Sequence, residues 1–235
     1  MPRYRWHIFE FDNIPSSRYA LGMSSYPGVN AHPSKYKLLD AALRVIRTRG
    51  YTGTTIDDIC LAAGMTKGSF FHHFKGKEDL AINAANYWAV TTDAFFEGAP
   101  YHAHSDPLDR VLGYIDFRKS ILQGKLPEFT CLVGTMVQET FDTAPAIRDA
   151  CERSISGHAG HIAVDIAAAM KEHNIPADWT AESLALHFQA VLQGAFILAK
   201  AKGTAHVAAD SVDHLRRYVE LLFGRGSQSA IQRFS

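Results

Sequence analysis

The chain is poor in cysteine. Its 235 residues include only Cys60, Cys131 and Cys151. No two stand at a paired spacing, so no disulfide framework or cysteine-rich metal motif is written into it, and the thiols read as reduced ones in a cytoplasmic protein. Long apolar runs are missing as well: none approaches the ~18 residues that a membrane helix needs. The opening MPRYRWHIFEFDN lacks the uninterrupted apolar stretch of a secretory signal. There is no nucleophile elbow, P-loop, dinucleotide fingerprint or His-Glu-x-x-His. No catalytic residue, cofactor or metal is therefore assigned, and nothing marks the chain as an enzyme. Internal repeats and the alternating pattern of strands are also absent, which leaves an all-α architecture.

Hydrophobic residues make up 47% of the chain, enough for it to fold. The formal net charge of zero hides an asymmetry. Through Leu80 there are eleven Lys and Arg against seven Asp and Glu, and the remainder carries thirteen against seventeen. One end is thus suited to phosphate.

The most informative stretch runs from Thr54 to Leu80, TTIDDICLAAGMTKGSFFHHFKGKEDL. Ile56 and Ile59 share a face of one short helix, capped by Thr54 or Thr55 with Asp57 or Asp58 as capping-box partner. Gly64 supplies the turn, because glycine takes a positive φ without steric cost. Thr66 caps a second helix of about two turns. In it Phe70 and Phe74 point into a core, and Lys67, Gly68, Ser69, Phe71, His72 and His73 stay on or near the open face. Two helices about a tight turn, the second with a polar and partly basic face, form the helix-turn-helix arrangement that enters the DNA major groove.

The pattern T-x-x-x-I-x-x-x-A-G-x-x-K-G-S-F-F-x-H-F-x-x-K-E-D-L resembles the DNA-binding segment of tetracycline-repressor-type (TetR family) transcription regulators, from about Ser34 to Ala85. The resemblance implies a homodimeric, ligand-responsive regulator, a repressor in the first instance. Its partners would be a double-stranded DNA operator, a second copy of itself and a small-molecule effector, with no membrane involved. It further implies that Lys67 reaches a base edge, with Gly68 and Ser69 permitting close approach, and that Phe71, His73 and Lys77 meet the sugar-phosphate backbone. Thr55, Thr66 and His72 complete the DNA-binding set. Many relatives carry Tyr where Phe71 and His73 stand, and Phe71 has no hydrogen bond to give.

Four segments follow: an arm over 1–32, a helix-turn-helix domain over 33–80, a helical effector-binding and dimerisation domain over 81–224, and a tail over 225–235. Arm and tail are expected to be flexible, with local docking of Trp6, Ile8, Phe9 or Phe11 as the alternative for the arm. Helical spacing predicts a helix over 34–49 and one from Glu78 to about Phe96, the sole covalent link between head and body. Further helices are expected from Asp106-Pro107, over about 128–141, from 142 to about 173, and over 181–202 and 209–223, with Gly98–Ser105 a loop.

The body is rich in aromatic, sulfur and histidine side chains. Trp88, Phe117, Phe129, Cys131, Met136, Phe141, His161 and Trp179 are the candidate lining of a pocket for an apolar or aromatic effector; that a pocket exists rests on the resemblance. The last two helices are apolar beyond one stripe. Phe188, Val191, Leu192, Ala195, Leu215, Val219 and Leu222 are therefore the candidate two-fold interface. His158 and His161 stand three apart, and a metal there would need Cys131, Asp165 or His187 as third ligand. A thiol-based stress sensor through Cys131 or Cys151 is an alternative reading, as is a helical sensor or enzyme that does not bind DNA.

Overall fold

Ten α-helices and no strand form among residues 32–225, the part that the computed structural model describes. The expectations for the arm and its aromatic residues, and for most of the tail, lie outside those residues.

Helix α1, Pro33–Arg49, opens on a proline, whose missing N–H costs nothing in a first turn. The His32 ring caps it, accepting from the Ser34 N–H at 3.4 Å. Helix α2, Ile56–Ala63, starts at Thr55 in a complete capping box with Asp58 and stops at Gly64 in the left-handed conformation, φ +63°. Helix α3, Lys67–His73, is capped by Thr66, whose Oγ1 accepts from the Ser69 N–H at 3.2 Å. The caps and turn thus fall where the sequence sets them. Helix α4, Lys77–Glu97, carries the chain into the body. A 3-10 turn, Pro100–Ala103, stands in the expected loop and precedes α5, Pro107–Ser120.

Over 128–141 the structure departs from the expected single helix. A short α6, Leu126–Phe129, ends at Thr130 in extended backbone, φ −81° and ψ 155°. Helix α7, Leu132–Thr140, then starts afresh with the Cys131 sulfur accepting from the Gly134 N–H at 3.3 Å. A thiol is a weak acceptor, and nothing in apolar periodicity marks it as a cap. The long α8 spans Pro145–Glu172, α9 Ala181–Lys202 and α10 His206–Leu222, three residues earlier in its start than the periodicity gives. Helix α9 is long and apolar enough to cross a membrane by length and composition, and it packs along α8 and α10.

Two apolar cores organise these helices. The body core joins α4, α5, α8, α9 and α10 around Leu108, Ile115, Ile166, Phe188 and Val219. The second holds Leu38, Ile46, Ile59, Phe70, Phe74 and Leu80, all essentially inaccessible. It continues without a break into Met136, Ile147 and Cys151 of α7 and α8. Head and body therefore share a core as well as a connecting helix.

Candidate nucleic-acid interface and body cavity

The open face of α3 is set by what α3 buries. Phe70 is 0% exposed and Phe74, the extended residue that caps the helix end, 1%, which turns Lys67, Gly68, Phe71 and His72 outward, Phe71 at 54%. A Cβ placed on Gly68 would meet only Thr66 Oγ1, at 3.7 Å, so this glycine leaves the face open to a close partner. Lys67 Nζ lies 2.9 Å from Asp57 Oδ1 of α2, both side chains mostly exposed. That hydrogen bond raises the Lys67 pKa. An exposed pair of this kind is screened by solvent and contributes little, so Lys67 is easily released to a stronger anion.

The other expected contacts are held more firmly. His73 Nε2 is 2.6 Å from Ser34 Oγ, which ties the end of α3 to the start of α1. Burial, aided by the charges of His72, His32 and Lys35, lowers its pKa. Lys77 Nζ donates to the Thr52 carbonyl at 3.3 Å and lies over the Tyr51 ring at 4.4 Å. Burial lowers its pKa too. Thr55 and Thr66 serve as helix caps with exposed side chains.

The loop between α1 and α2 is gripped from the body. Glu139 of α7 accepts from the Tyr51 N–H at 3.1 Å and the Thr52 N–H at 2.7 Å. Gly50, at φ +80°, lies so close that a Cβ there would come within 2.5 Å of Glu139 Oε1. Arg47 donates to the Glu128 carbonyl at 3.1 Å and lies over the Trp88 ring at 5.1 Å. These contacts give the head a second connection to the body, beside α4.

Inside the body a cavity of about 50 Å³ is lined by Trp88, Phe129, Cys131, Ile155, Leu192 and Phe196, with Asp93, Arg118, His158, Gln189 and Gln193 as its polar wall. Three of the expected pocket residues, Trp88, Phe129 and Cys131, meet there. His161 lines a wider, more open depression of about 300 Å³, which shares Asp93 and His158 with the first. The rest do not converge. Phe117 packs against Phe95 and Phe96, Met136 is fully buried in the shared core, Phe141 is 62% exposed, and Trp179 packs on Phe223 at the far end of the body.

His158 is 8% exposed and forms the hub of the polar wall. Its Nε2 lies 2.6 Å from Arg118 Nη2 and 3.1 Å from the Tyr114 hydroxyl. A guanidinium only donates, so Nε2 is the acceptor and Nδ1 carries the proton, facing Asp93 Oδ1 at 3.3 Å. Burial is the main cause holding this imidazole down to about 4, with Arg118 adding to it and the Asp93 hydrogen bond opposing it. His161 Nδ1 approaches the same Asp93 oxygen at 3.5 Å, so the third member of the histidine pair is Asp93. Asp165 is paired with Arg110, and His187 packs on Tyr218. A metal on His158 Nδ1 would require the other tautomer and would set an N–H against the Arg118 donor. The cluster is built as a hydrogen-bonded chain.

The cysteines separate by place. Cys151 is fully buried, and burial pushes its thiol up to about 12. Cys60 is buried in the head and also raised. Cys131 alone meets the cavity. Arg118, Gln189 and Asp93 were missed from sequence. The available signal was a polar residue inside an apolar stripe, as Gln189 is among Ala185, Phe188 and Leu192.

The expected two-fold residues lie inward. Phe188, Leu192, Ala195, Leu215 and Val219 are at most 3% exposed within a single chain, and Val191 and Leu222 are half-buried. The apolar side chains that α9 and α10 leave outside are Leu186, Ile197, Leu198, Tyr218 and Leu221, the last 67% exposed.

Two family models match the chain: "Bacterial regulatory proteins, tetR family" over residues 38–84, and "Tetracyclin repressor-like, C-terminal domain" over 107–215. The HTH-type transcriptional regulator LmrA of Bacillus subtilis is 30% identical over 129 residues, 52% of this chain and 64% of that protein. This chain thus spans less than two thirds of that relative. The HTH-type transcriptional regulator TtgR of Pseudomonas putida is 24% identical over 70% of this chain and 79% of its own. A TetR transcriptional regulator from Chloroflexus aurantiacus superposes with a TM-score of 0.68 at 27% identity, over 79% of this chain and 93% of that one.

Proposed function

The chain belongs to the TetR family of bacterial regulatory proteins, and on that premise we propose that it is a homodimeric repressor in the cytoplasm that leaves its DNA operator when a small molecule enters the body. The observation that carries this reading is α3. Its buried Phe70, with Phe74 just beyond, fixes the helix while Lys67, Gly68, Phe71 and His72 face outward, with Ser69 half-buried beside them, in the positively charged part of the chain. Lys67 reads a base edge, and Phe71 packs on sugar. Lys77, His73, Thr55 and Thr66 meet the backbone, the first two already oriented by Tyr51 and Ser34. We retain residues 33–80 as the DNA-binding domain and 81–224 as the effector and dimerisation domain.

Dimerisation places Leu186, Ile197, Leu198, Tyr218 and Leu221 of α9 and α10 against their two-fold mates. A dimer reads two half-sites about 34–36 Å apart, one turn of DNA, or a multiple of it. An effector that prefers a body state with a different head spacing lowers operator affinity by its differential affinity for the two states. A gel shift on DNA flanking the gene, repeated at rising salt, tests the reading. Sequence-selective retention that weakens steeply with salt is expected. Retention of no fragment at low salt overturns it.

A further inference from the structure

The cavity's polar wall has donors left over. Gln189 is 7% exposed, and its Nε2 is buried with no hydrogen-bond partner. A buried donor without a partner is destabilising, and a chain that only needed a core would remove it by placing leucine there. Among the described residues, one other buried side-chain atom is in this state, Thr130 Oγ1, and Thr130 does not line the cavity.

Arg118 stands on the same wall. It donates to the Tyr114 hydroxyl at 2.9 Å and to His158, and its guanidinium lies 4.3 Å from the Phe96 ring centre. No ion pair with a carboxylate neutralises it among the described residues. The one acid on this wall, Asp93, lies against His158 and His161. Trp88, Phe129, Leu192 and Phe196 supply the apolar side, and Thr92, Ser154 and Gln193 add neutral polar groups.

We propose that the cavity binds a small monocarboxylic acid with an aryl or branched alkyl tail, its carboxylate taken by Arg118 and the Gln189 amide and its tail by Trp88, Phe129 and Phe196. This rests on the effector reading above and gives the effector its chemical class. Charge-assisted bonds from a guanidinium are the strong ones, and they give an otherwise apolar pocket its selectivity. The volume, about 50 Å³, holds a carboxylate and a few carbons, and a ring requires the aromatic walls to part.

The test is calorimetric titration of the full-length protein with benzoate, phenylacetate and isovalerate, each beside its uncharged amide and its amine. Operator affinity is measured on the same samples. At least one acid is expected to bind at least tenfold more tightly than its amide and its amine. Gln189→Leu should weaken that acid at least fivefold while the ligand-free Tm stays level or rises, since the substitution removes an unpartnered donor. Arg118→Gln should weaken it at least tenfold, with the helical circular dichroism retained. The proposal is overturned if no acid binds below millimolar concentration, if an amide or amine binds as well as its acid, or if both variants bind the acid like the parent. An acid that binds as described and leaves operator affinity unchanged supports the ligand class and refutes the release mechanism. Release by an amide or amine alone does the reverse.

Discussion

Single residues divide into those the molecule already uses and those it holds out. Lys67 is held out, engaged among the described residues by the exposed Asp57. Lys67→Ala is expected to cost ~1–3 kcal/mol of operator binding and to relax specificity at one base pair, by competition gel shifts with point-substituted operators. Lys77→Ala should weaken all sequences alike and lessen the salt slope by about one. Parent-like binding by both variants would remove α3 as the reader. His158 is of the first kind. Its pKa lies at about 4 in the fold, against the ordinary 6.5. Between those values the unfolded chain takes up a proton that the folded chain refuses. Its stabilising contribution is therefore complete above pH 6.5, declines as pH falls, and levels off below 4, a loss of roughly 3 kcal/mol. Urea melts from pH 7.5 to 4 should show that decline, and His158→Gln should flatten it.

Among elements, the coupling of α1 to α7 matters most. Glu139 accepts two backbone N–H groups from the loop that leaves α1, and Arg47 bridges α1 to α6 and Trp88. Trp88 and Phe129 line the cavity, so a ligand of the proposed kind that parted them would push on the seat of Arg47. Helix α4 is thus one of two routes from body to head. Glu139→Ala is expected to lower stability by about 1 kcal/mol, the size of a partly exposed hydrogen-bonded contact. The parent operator affinity should change little, and the ratio of affinities with and without effector should shrink. An unchanged ratio would leave α4 as the sole route.

For the whole molecule, the proposed dimer rests on the outer faces of α9 and α10. Leu221→Asp combined with Leu198→Asp should give folded monomers with weak operator binding, by sedimentation and circular dichroism. Leu215→Asp should instead unfold the chain, because that side chain is 3% exposed inside one subunit and an unpaired charge there has no water. A wild-type chain that sediments as a monomer at micromolar concentration would sink the dimer.

By itself the sequence determined the local structure. Gly64 and Thr66 set the turn and the second cap, and the first cap was narrowed to Thr54 or Thr55 with Asp57 or Asp58, because capping is a contact between residues two or three apart; the structure chose Thr55 and Asp58. The paired Phe70 and Phe74 likewise fixed which side of α3 faces out, because helical period alone assigns sides. Tertiary packing decided the rest. Apolar residues on α9 and α10 read alike whether they face α8 or a second subunit, so Phe188, Leu192, Ala195, Leu215 and Val219, named for an interface from periodicity, lie in the core of one chain. The break at Thr130 was not read at all, because the Cys131 sulfur that caps the next helix is a weak acceptor with no sequence signature, although the contact is local. The cavity draws Trp88 from α4, Arg118 from α5, His158 from α8 and Gln189 from α9. Residues so far apart in the chain are brought together only by helix packing, and no spacing along the sequence encodes their distance.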